Sequence, residues 1–165
     1  MSDFINKVIT VILIFIMLVL APLMISYMST DMLTERLVLN DVSQFIDRVT
    51  DKFLITEHDI NDLYLAVNSH GQSYDIEIQR YLLLEESMPD GTTKLIYVNT
   101  SDIYDVVSGA KDENGNRITE VPLNVRDVVK VHVKEVSMSS GKRMMWSLLR
   151  VDKGLFEFSL AGTVR

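Results

Sequence analysis

The sequence predicts an α+β fold in which one long N-terminal helix, with a transmembrane and an amphipathic half, packs on a small antiparallel β-sheet. Three observations predict it. Residues 8–30 contain no Asp, Glu, Lys, Arg or His. Residues 31–54 place apolar side chains at spacings of three and four, which is the period of a helix. Several segments after residue 73 alternate apolar and polar residues, which is typical of half-buried strands.

The composition excludes several classes of site. The chain has 165 residues, of which 47% are hydrophobic, so it is too apolar for an intrinsically disordered protein. Because it contains no cysteine, a disulfide framework, a thiol nucleophile and a cysteine-ligated metal are excluded. Acidic residues outnumber basic residues by 23 to 16, and the resulting net charge of −7 argues against non-specific binding to nucleic acid.

The apolar segment at residues 8–30 predicts a single membrane-spanning helix. About 20 residues of helix cross the hydrocarbon core of a bilayer. A cleaved signal peptide is the alternative, but its apolar region is commonly shorter and ends in a small-residue cleavage site, which this segment lacks. Because proline has no N–H, Pro22 predicts local loosening of the helix near residues 18–22. The membrane-spanning residues include Val8, Ile12, Phe15, Leu18, Pro22 and Ile25.

The flanks of this segment predict its orientation in the cell membrane. Lys7 and the terminal amine precede it, and Arg36 is the first basic residue after it. The positive-inside rule therefore favours a cytoplasmic N-terminus by only a small excess of positive charge. A short head before the span and a long chain after it favour a cytoplasmic N-terminus. We therefore expect the C-terminal domain to be extracytoplasmic.

The amphipathic segment that follows predicts that the helix continues past the membrane. No glycine or proline interrupts it, so we expect one helix from about residue 4 to 54. The predicted organisation is a transmembrane segment at 1–30, an amphipathic continuation at 31–54 and an exported α+β domain at 55–165. The stripe expected to pack on the sheet comprises Leu33, Leu37, Val42, Phe45, Ile46, Val49 and Phe53.

The remaining elements are predicted from helix-capping residues and from the change from helical to strand-like spacing of apolar residues. Thr56 predicts the N-cap of a short helix at about 57–69, and Gly71 predicts its end. One or two helical turns are expected at 100–108, and a polar loop at 109–120. Strands are expected at 73–84, 94–98, 128–136, 144–151 and 155–164.

No motif for catalysis or for a cofactor is present in the sequence. GxxxxGK[ST], GxGxxG and HExxH are all missing, and His58, His70 and His132 lie in different predicted elements. The stretch DENGN resembles the start of a calcium loop, but Arg117 replaces the required glycine and Leu123 replaces the final glutamate. We therefore expect a protein that is not an enzyme and has no cofactor, metal or small-molecule substrate.

A methionine-rich cluster near the last two predicted strands has two open interpretations. It comprises Met138, Met144, Met145 and Trp146. Such residues provide an adaptable contact surface for a partner, or they fill the core over a small sheet.

Two parts of the chain show a family resemblance. Phe4–Met28, with Pro22 in its apolar part, is followed by Asp31–Phe53, and Arg126–Val131 and Phe156–Val164 provide the closing strands. This layout resembles the subunits of type IV filaments, more specifically the pilin-like and pseudopilin-like proteins of tight-adherence (Tad) and related systems in Gram-positive bacteria. The resemblance implies a structural subunit of a pilus-like or secretion filament. Its expected partners are the lipid bilayer and other filament or assembly-machinery subunits, which it contacts through the N-terminal helix.

The processing motif of that family is absent. Its leader peptidase cuts after a glycine or another small residue, and the mature helix usually has a glutamate at its fifth position. This chain has no glycine before Gly71 and no glutamate before Glu35.

Two other functions stay open on the sequence. A membrane-anchored extracytoplasmic binding or sensor module would have an open sheet face lined with aromatic side chains. An anchored hydrolase would need a cluster of acids or histidines.

Overall fold

The computed structural model describes residues 2–88, 92–149 and 155–165 and has the predicted α+β architecture. Its helices are Ser2–Phe15 (α1), Ala21–Lys52 (α2), Glu57–Asn68 (α3), Asp102–Ser108 (α4) and Ser140–Leu149 (α5). Its strands are Leu54–Thr56 (β1), Tyr74–Ser87 (β2), Thr93–Thr100 (β3), Glu120–Pro122 (β4), Val128–Glu135 (β5) and Glu157–Thr163 (β6).

The chain divides into two compact units. The first comprises Met1–Arg36 and Met138–Gly154, and the second comprises Leu37–Ser137 and Leu155–Arg165. Helix α2 begins in the first unit and ends in the second. The boundaries expected from the sequence at residues 30 and 54 stay predictions.

The long N-terminal helix is present as predicted. It runs from Asp3 to Lys52, because a π-helical turn at Ile16–Leu20 joins α1 to α2. This wider turn directly precedes Ala21 and Pro22, and the Ala21 N–H donates to the carbonyl of Ile16, five residues back. Pro22 cannot donate a helical hydrogen bond, so a π-turn at this position accommodates the missing donor. The expected loosening therefore takes the form of a π-turn.

In the first unit, residues 140–149 form a helix where the sequence analysis expected a strand at 144–151. Ser139 is the physical reason: its hydroxyl accepts a hydrogen bond from the Lys142 N–H at 3.1 Å, which is an N-cap interaction. The segment is also amphipathic at the helical period. Residues 150 and 151 of the expected strand lie outside the described residues.

The second unit contains a four-stranded antiparallel sheet, in the order β3-β2-β5-β6. The central pair aligns Ile76 with Val133, and β5 aligns Val131 with Leu160. A separate two-stranded sheet pairs β1 with β4, placing Ile55 opposite Val121. Strand β1 was not predicted, because three residues are too short to show a period.

The second half of α2 covers one face of this sheet. Val42, Phe45, Ile46 and Val49 of the predicted stripe are buried, together with Val38. They form one core with apolar side chains of the sheet and of α3, including Ile60, Leu63, Ile76, Val129, Val131 and Val133.

Three residues of the predicted stripe do not pack in this way. Leu33, Leu37 and Phe53 are exposed. The buried part of the stripe begins only at Val38, so Leu33 and Leu37 precede it. Phe53 follows the last residue of α2 with a φ of 58°, in the left-handed region, and its side chain therefore leaves the helical stripe.

Strand β6 approaches α2 closely at Gly162. A Cβ added there would collide with Cγ2 of Ile46 and would lie 3.6 Å from Cγ2 of Thr50. The backbone of Gly162 is not in the left-handed region, so the space and not the conformation requires glycine. This contact fixes how near the last strand lies to the helix.

A capping box joins the end of α2 to the start of α3. Thr56 accepts a hydrogen bond from the Asp59 N–H, and the buried Asp59 carboxylate accepts one from the Thr56 N–H. Lys52 also donates to Asp59, at 3.2 Å. Burial raises the pKa of the Asp59 carboxyl, but the hydrogen bonds from Thr56 and Lys52 outweigh burial, and the pKa lies below its usual value.

Replacing Gly162 by alanine is expected to destabilise the second unit by about 1–3 kcal/mol, the usual cost of overpacking. The measurement is urea unfolding of the full chain in detergent, followed by circular dichroism. The loss should shrink in an Ile46→Ala background, because the colliding methyl group is then gone. Ala161→Ser, at the exposed neighbouring position, is the control and should change stability by less than about 0.5 kcal/mol. Equal stability of Gly162→Ala and the parent would contradict the close approach.

Replacing Asp59 by asparagine is expected to cost roughly 1 kcal/mol near neutral pH, the size of a lost cap. Because the folded-state pKa is lowered, the carboxylate stabilises the fold above its unfolded pKa of about 3.9 and loses this effect as the pH falls through the folded value. The difference between parent and variant in unfolding free energy should therefore shrink as the pH falls below about 4. If parent and variant differ by the same unfolding free energy near neutral pH and below about pH 4, the lowered pKa of Asp59 does not contribute to stability.

Candidate functional surfaces

The N-terminal helix exposes a continuous apolar surface. Large apolar side chains are exposed along it from Phe4 to Met28, and these include the predicted membrane-spanning residues Val8, Ile12, Phe15, Leu18 and Ile25. Pro22 is exposed as well. Exposed apolar patches of this extent mark membrane or protein contacts. Within the described residues, Asp3–Lys52 is the one helix long and apolar enough to span a membrane.

Beyond that segment the same helix changes its environment. Val38, Val42 and Val49 are completely buried within the second unit, while the opposite face of α2 carries charged residues such as Asp47 and Asp51. The sheet face over β5 is therefore closed by the chain's own helix. An open sheet face lined with aromatic side chains, the feature expected of a binding module, does not occur at this position.

A buried arginine links three elements of the second unit. The Nε and Nη2 atoms of Arg80, in β2, donate to Oδ2 of Asp127 at 3.0 and 2.7 Å, and Nη1 donates to Oδ2 of Asp102 at 2.8 Å. The Asn124 N–H donates to the same Asp127 oxygen at 2.8 Å. The side chains of Arg80 and Asp127 are only 6% and 2% exposed, so solvent barely reaches this pair, whereas the Asp102 side chain is 44% exposed.

Sequence reasoning did not single out Arg80. The signal was nevertheless present, because Tyr74, Ile76, Ile78 and Arg80 alternate on the inward face of one strand. A cation at an inward position requires a buried acidic partner. Which acid would fill that role could not be read from the sequence, since Asp127 lies 47 residues away.

The three histidines do not form a common site. Nε2 of His70 lies 2.7 Å from Oδ2 of Asp41, His58 pairs with an acid one helical turn away, and His132 lies next to Ser159 on the sheet. Within the described residues, no group of three or more His, Cys, Asp or Glu is arranged to hold a metal ion. In the stretch DENGN, which resembles the start of a calcium loop, Oδ1 of Asp112 accepts hydrogen bonds from the Asn114 and Asn116 N–H groups, as in an ordinary Asx turn.

A cleft of about 280 Å³ lies beside α3, α4 and the edge of β2. Tyr64 and Tyr104 line it together with Gln79 and Asn99. The Tyr64 hydroxyl donates to the carbonyl of Ile76 at 2.7 Å, and burial together with the charge of Asp75 raises the pKa of Tyr64. The phenol is therefore a protonated hydrogen-bond donor and not a base at neutral pH.

Replacing Arg80 by methionine is expected to destabilise the second unit by about 3–5 kcal/mol, because Asp127 would be left buried without its cation. The measurement is urea unfolding of the full chain in detergent. The double variant Arg80→Met with Asp127→Leu should lose less than the single variant, because it removes both charges. Arg117→Ala, which breaks an exposed ion pair with Glu57, is the control and should cost less than about 1 kcal/mol. A single variant as stable as this control would contradict a structural role for Arg80.

Comparison with family models, with curated proteins and with solved structures finds no match to this chain. Its function is therefore inferred from the surfaces described above.

Proposed function

We propose that this protein is a single-pass, membrane-anchored structural or assembly subunit of a pilus-like or secretion filament, without enzymatic activity. The observation that supports it most is the helix Asp3–Lys52, whose first half is exposed and apolar while part of its second half is buried under the chain's own sheet. One element thus combines a surface that needs an external partner with a surface that is already covered.

The apolar half is suited to two alternative partners. In the membrane its side chains contact lipid, and in a filament they contact the equivalent helices of neighbouring subunits. Because residues 8–30 contain no Asp, Glu, Lys, Arg or His, neither environment buries an unpaired charge. Both environments remove the same apolar area from water, so the exchange of one for the other needs little net free energy.

The proposed orientation has the N-terminus in the cytoplasm and the second unit outside the cell. The partners are then the bilayer and other filament or assembly-machinery subunits, contacted through the N-terminal helix. The acidic composition keeps the exported part soluble.

A membrane-anchored binding or sensor module is the second candidate. The cleft beside Tyr64 and Tyr104 favours it, because it combines aromatic surface with polar groups. Its volume of about 280 Å³ lies just below the usual range of small-molecule sites, about 300–1,000 Å³. The long apolar helix also has no role in that function beyond anchoring, so the filament subunit is preferred.

Two leucines of equal exposure allow a matched test of this proposal. Leu18, in the apolar segment, and Leu65, on α3, are both 72% exposed. A lysine at a bilayer centre costs about 2.5–3.5 kcal/mol, whereas a lysine on a solvated surface costs almost nothing. Leu18→Lys should therefore reduce the membrane-bound fraction and the amount of protein in sheared filaments, and Leu65→Lys should leave both unchanged.

The measurement is immunoblotting of membrane and detergent-free shear fractions from the source cells, with electron microscopy of the sheared material. Recovery of the parent only in the membrane pellet, with pili and export unaffected by deletion of the gene, would overturn the filament subunit and favour the anchored module. Equal behaviour of the two lysine variants in the membrane fraction would overturn the anchor itself.

A further inference from the structure

Helix α5 is held against the long helix at the level where its apolar segment ends. Helix α5 and the long helix as far as Arg36 belong to the first compact unit. The Ser139 hydroxyl donates to Oδ1 of Asp31 at 3.0 Å, and Nζ of Lys142 lies 3.0 Å from Oε1 of Glu35. A Cβ added to Gly141 would lie 2.8 Å from Cδ1 of Tyr27, so the two helices are in close contact there.

The three contacted residues of the long helix share one face. Tyr27, Asp31 and Glu35 are spaced four residues apart, which places them one above another on a helix. Tyr27 lies inside the uncharged segment, and Asp31 is the first charged residue after it. The contacts with α5 therefore cross the boundary between the lipid-compatible and the water-compatible parts of the helix.

The sequence of α5 is suited to that boundary. It is amphipathic, and the stretch MMWSLL follows two cations. Lys142 is mostly buried and pairs with Glu35, whereas Arg143 is exposed. Trp146 is half-buried, and Tyr27 is 44% exposed. Trp and Tyr are enriched at membrane–water interfaces, and exposed cations on an amphipathic helix attract anionic headgroups.

We propose that α5 is an interfacial helix, which lies in the headgroup region of the bilayer that holds the apolar segment and presents Arg143 to anionic lipids. The partner is thus a lipid surface with anionic headgroups. This inference rests on the proposed membrane anchoring and deepens it, because a second contact with the membrane fixes the depth and the rotation of the spanning helix. It also gives Trp146 of the methionine-rich cluster a role.

Trp146 makes this placement measurable, because it is the only tryptophan of the chain. The full chain is reconstituted in phosphatidylcholine vesicles with and without phosphatidylglycerol. Quenching of Trp146 fluorescence is recorded with lipids brominated near the headgroup, with lipids brominated deep in the acyl chain, and with iodide in the aqueous phase. We expect strongest quenching by the shallow bromines, protection from iodide, and stronger lipid quenching when phosphatidylglycerol is present.

Gly141→Ala separates docking of α5 from its helicity. Alanine favours a helix more than glycine does, but its Cβ would meet the Cβ, Cγ and Cδ1 atoms at the base of the Tyr27 side chain. We expect loss of the shallow-bromine quenching in this variant, although the helix propensity rises. Ser147→Ala, at an exposed position of α5, is the matched control and should retain it. Arg143→Glu should abolish the effect of phosphatidylglycerol.

The outcomes distinguish this inference from the anchoring on which it rests. Failure of the chain to float with vesicles would overturn both. Flotation together with iodide quenching and no lipid quenching of Trp146 would leave the anchor intact and overturn the interfacial helix. Protection from both iodide and lipid bromines would show that protein covers α5, which also overturns the lipid placement.

Discussion

An apolar helical surface that the chain does not cover is the constraint on which the other features of this molecule depend. Along the helix from Phe4 to Met28 the large side chains are exposed. Each 1 Å² of such surface costs about 25 cal/mol in water, so the surface requires lipid or protein around it. The sequence is compatible with such surroundings, because residues 8–30 contain no Asp, Glu, Lys, Arg or His. The π-turn at Ile16–Leu20 keeps the backbone helical in spite of Pro22, which a lipid environment demands.

In the second unit, the apolar side chains of the same helix are covered by the chain itself. From Val38 onward its apolar stripe is closed by the sheet and by α3, and Gly162 permits β6 to come near Ile46. The Arg80 cluster then secures β2 to α4 and to the turn before β5. Coverage of this half makes the uncovered half the natural contact surface for other molecules, which is the physical basis for proposing a filament subunit.

Between these two halves, the contacts of α5 coincide with the point where charged residues begin. Asp31 and Glu35 are bound by Ser139 and Lys142, so the first carboxylates after the apolar segment have partners from a distant part of the chain. Carboxylates close to a low-dielectric region are costly unless they are paired. In our proposal this pairing permits acidic residues to lie at the level of the lipid headgroups.

Local regularity explains what the sequence determined by itself. The long helix, the helix capped by Thr56 and the strands β2, β3, β5 and β6 were predicted, because each has a repeated period or a side-chain cap within the segment. Tertiary contacts decided the rest. Helix α5 is an exception, because its N-cap at Ser139 and its helical period are local signals that the prediction of a strand at 144–151 overlooked. Strand β1 exists only through its pairing with β4, and the exposure of Leu37 depends on where the sheet begins to cover the helix. Likewise, Arg80 contacts Asp127 only because the sheet and the turn before β5 bring together residues that are far apart in sequence. No local sequence pattern indicates this pairing.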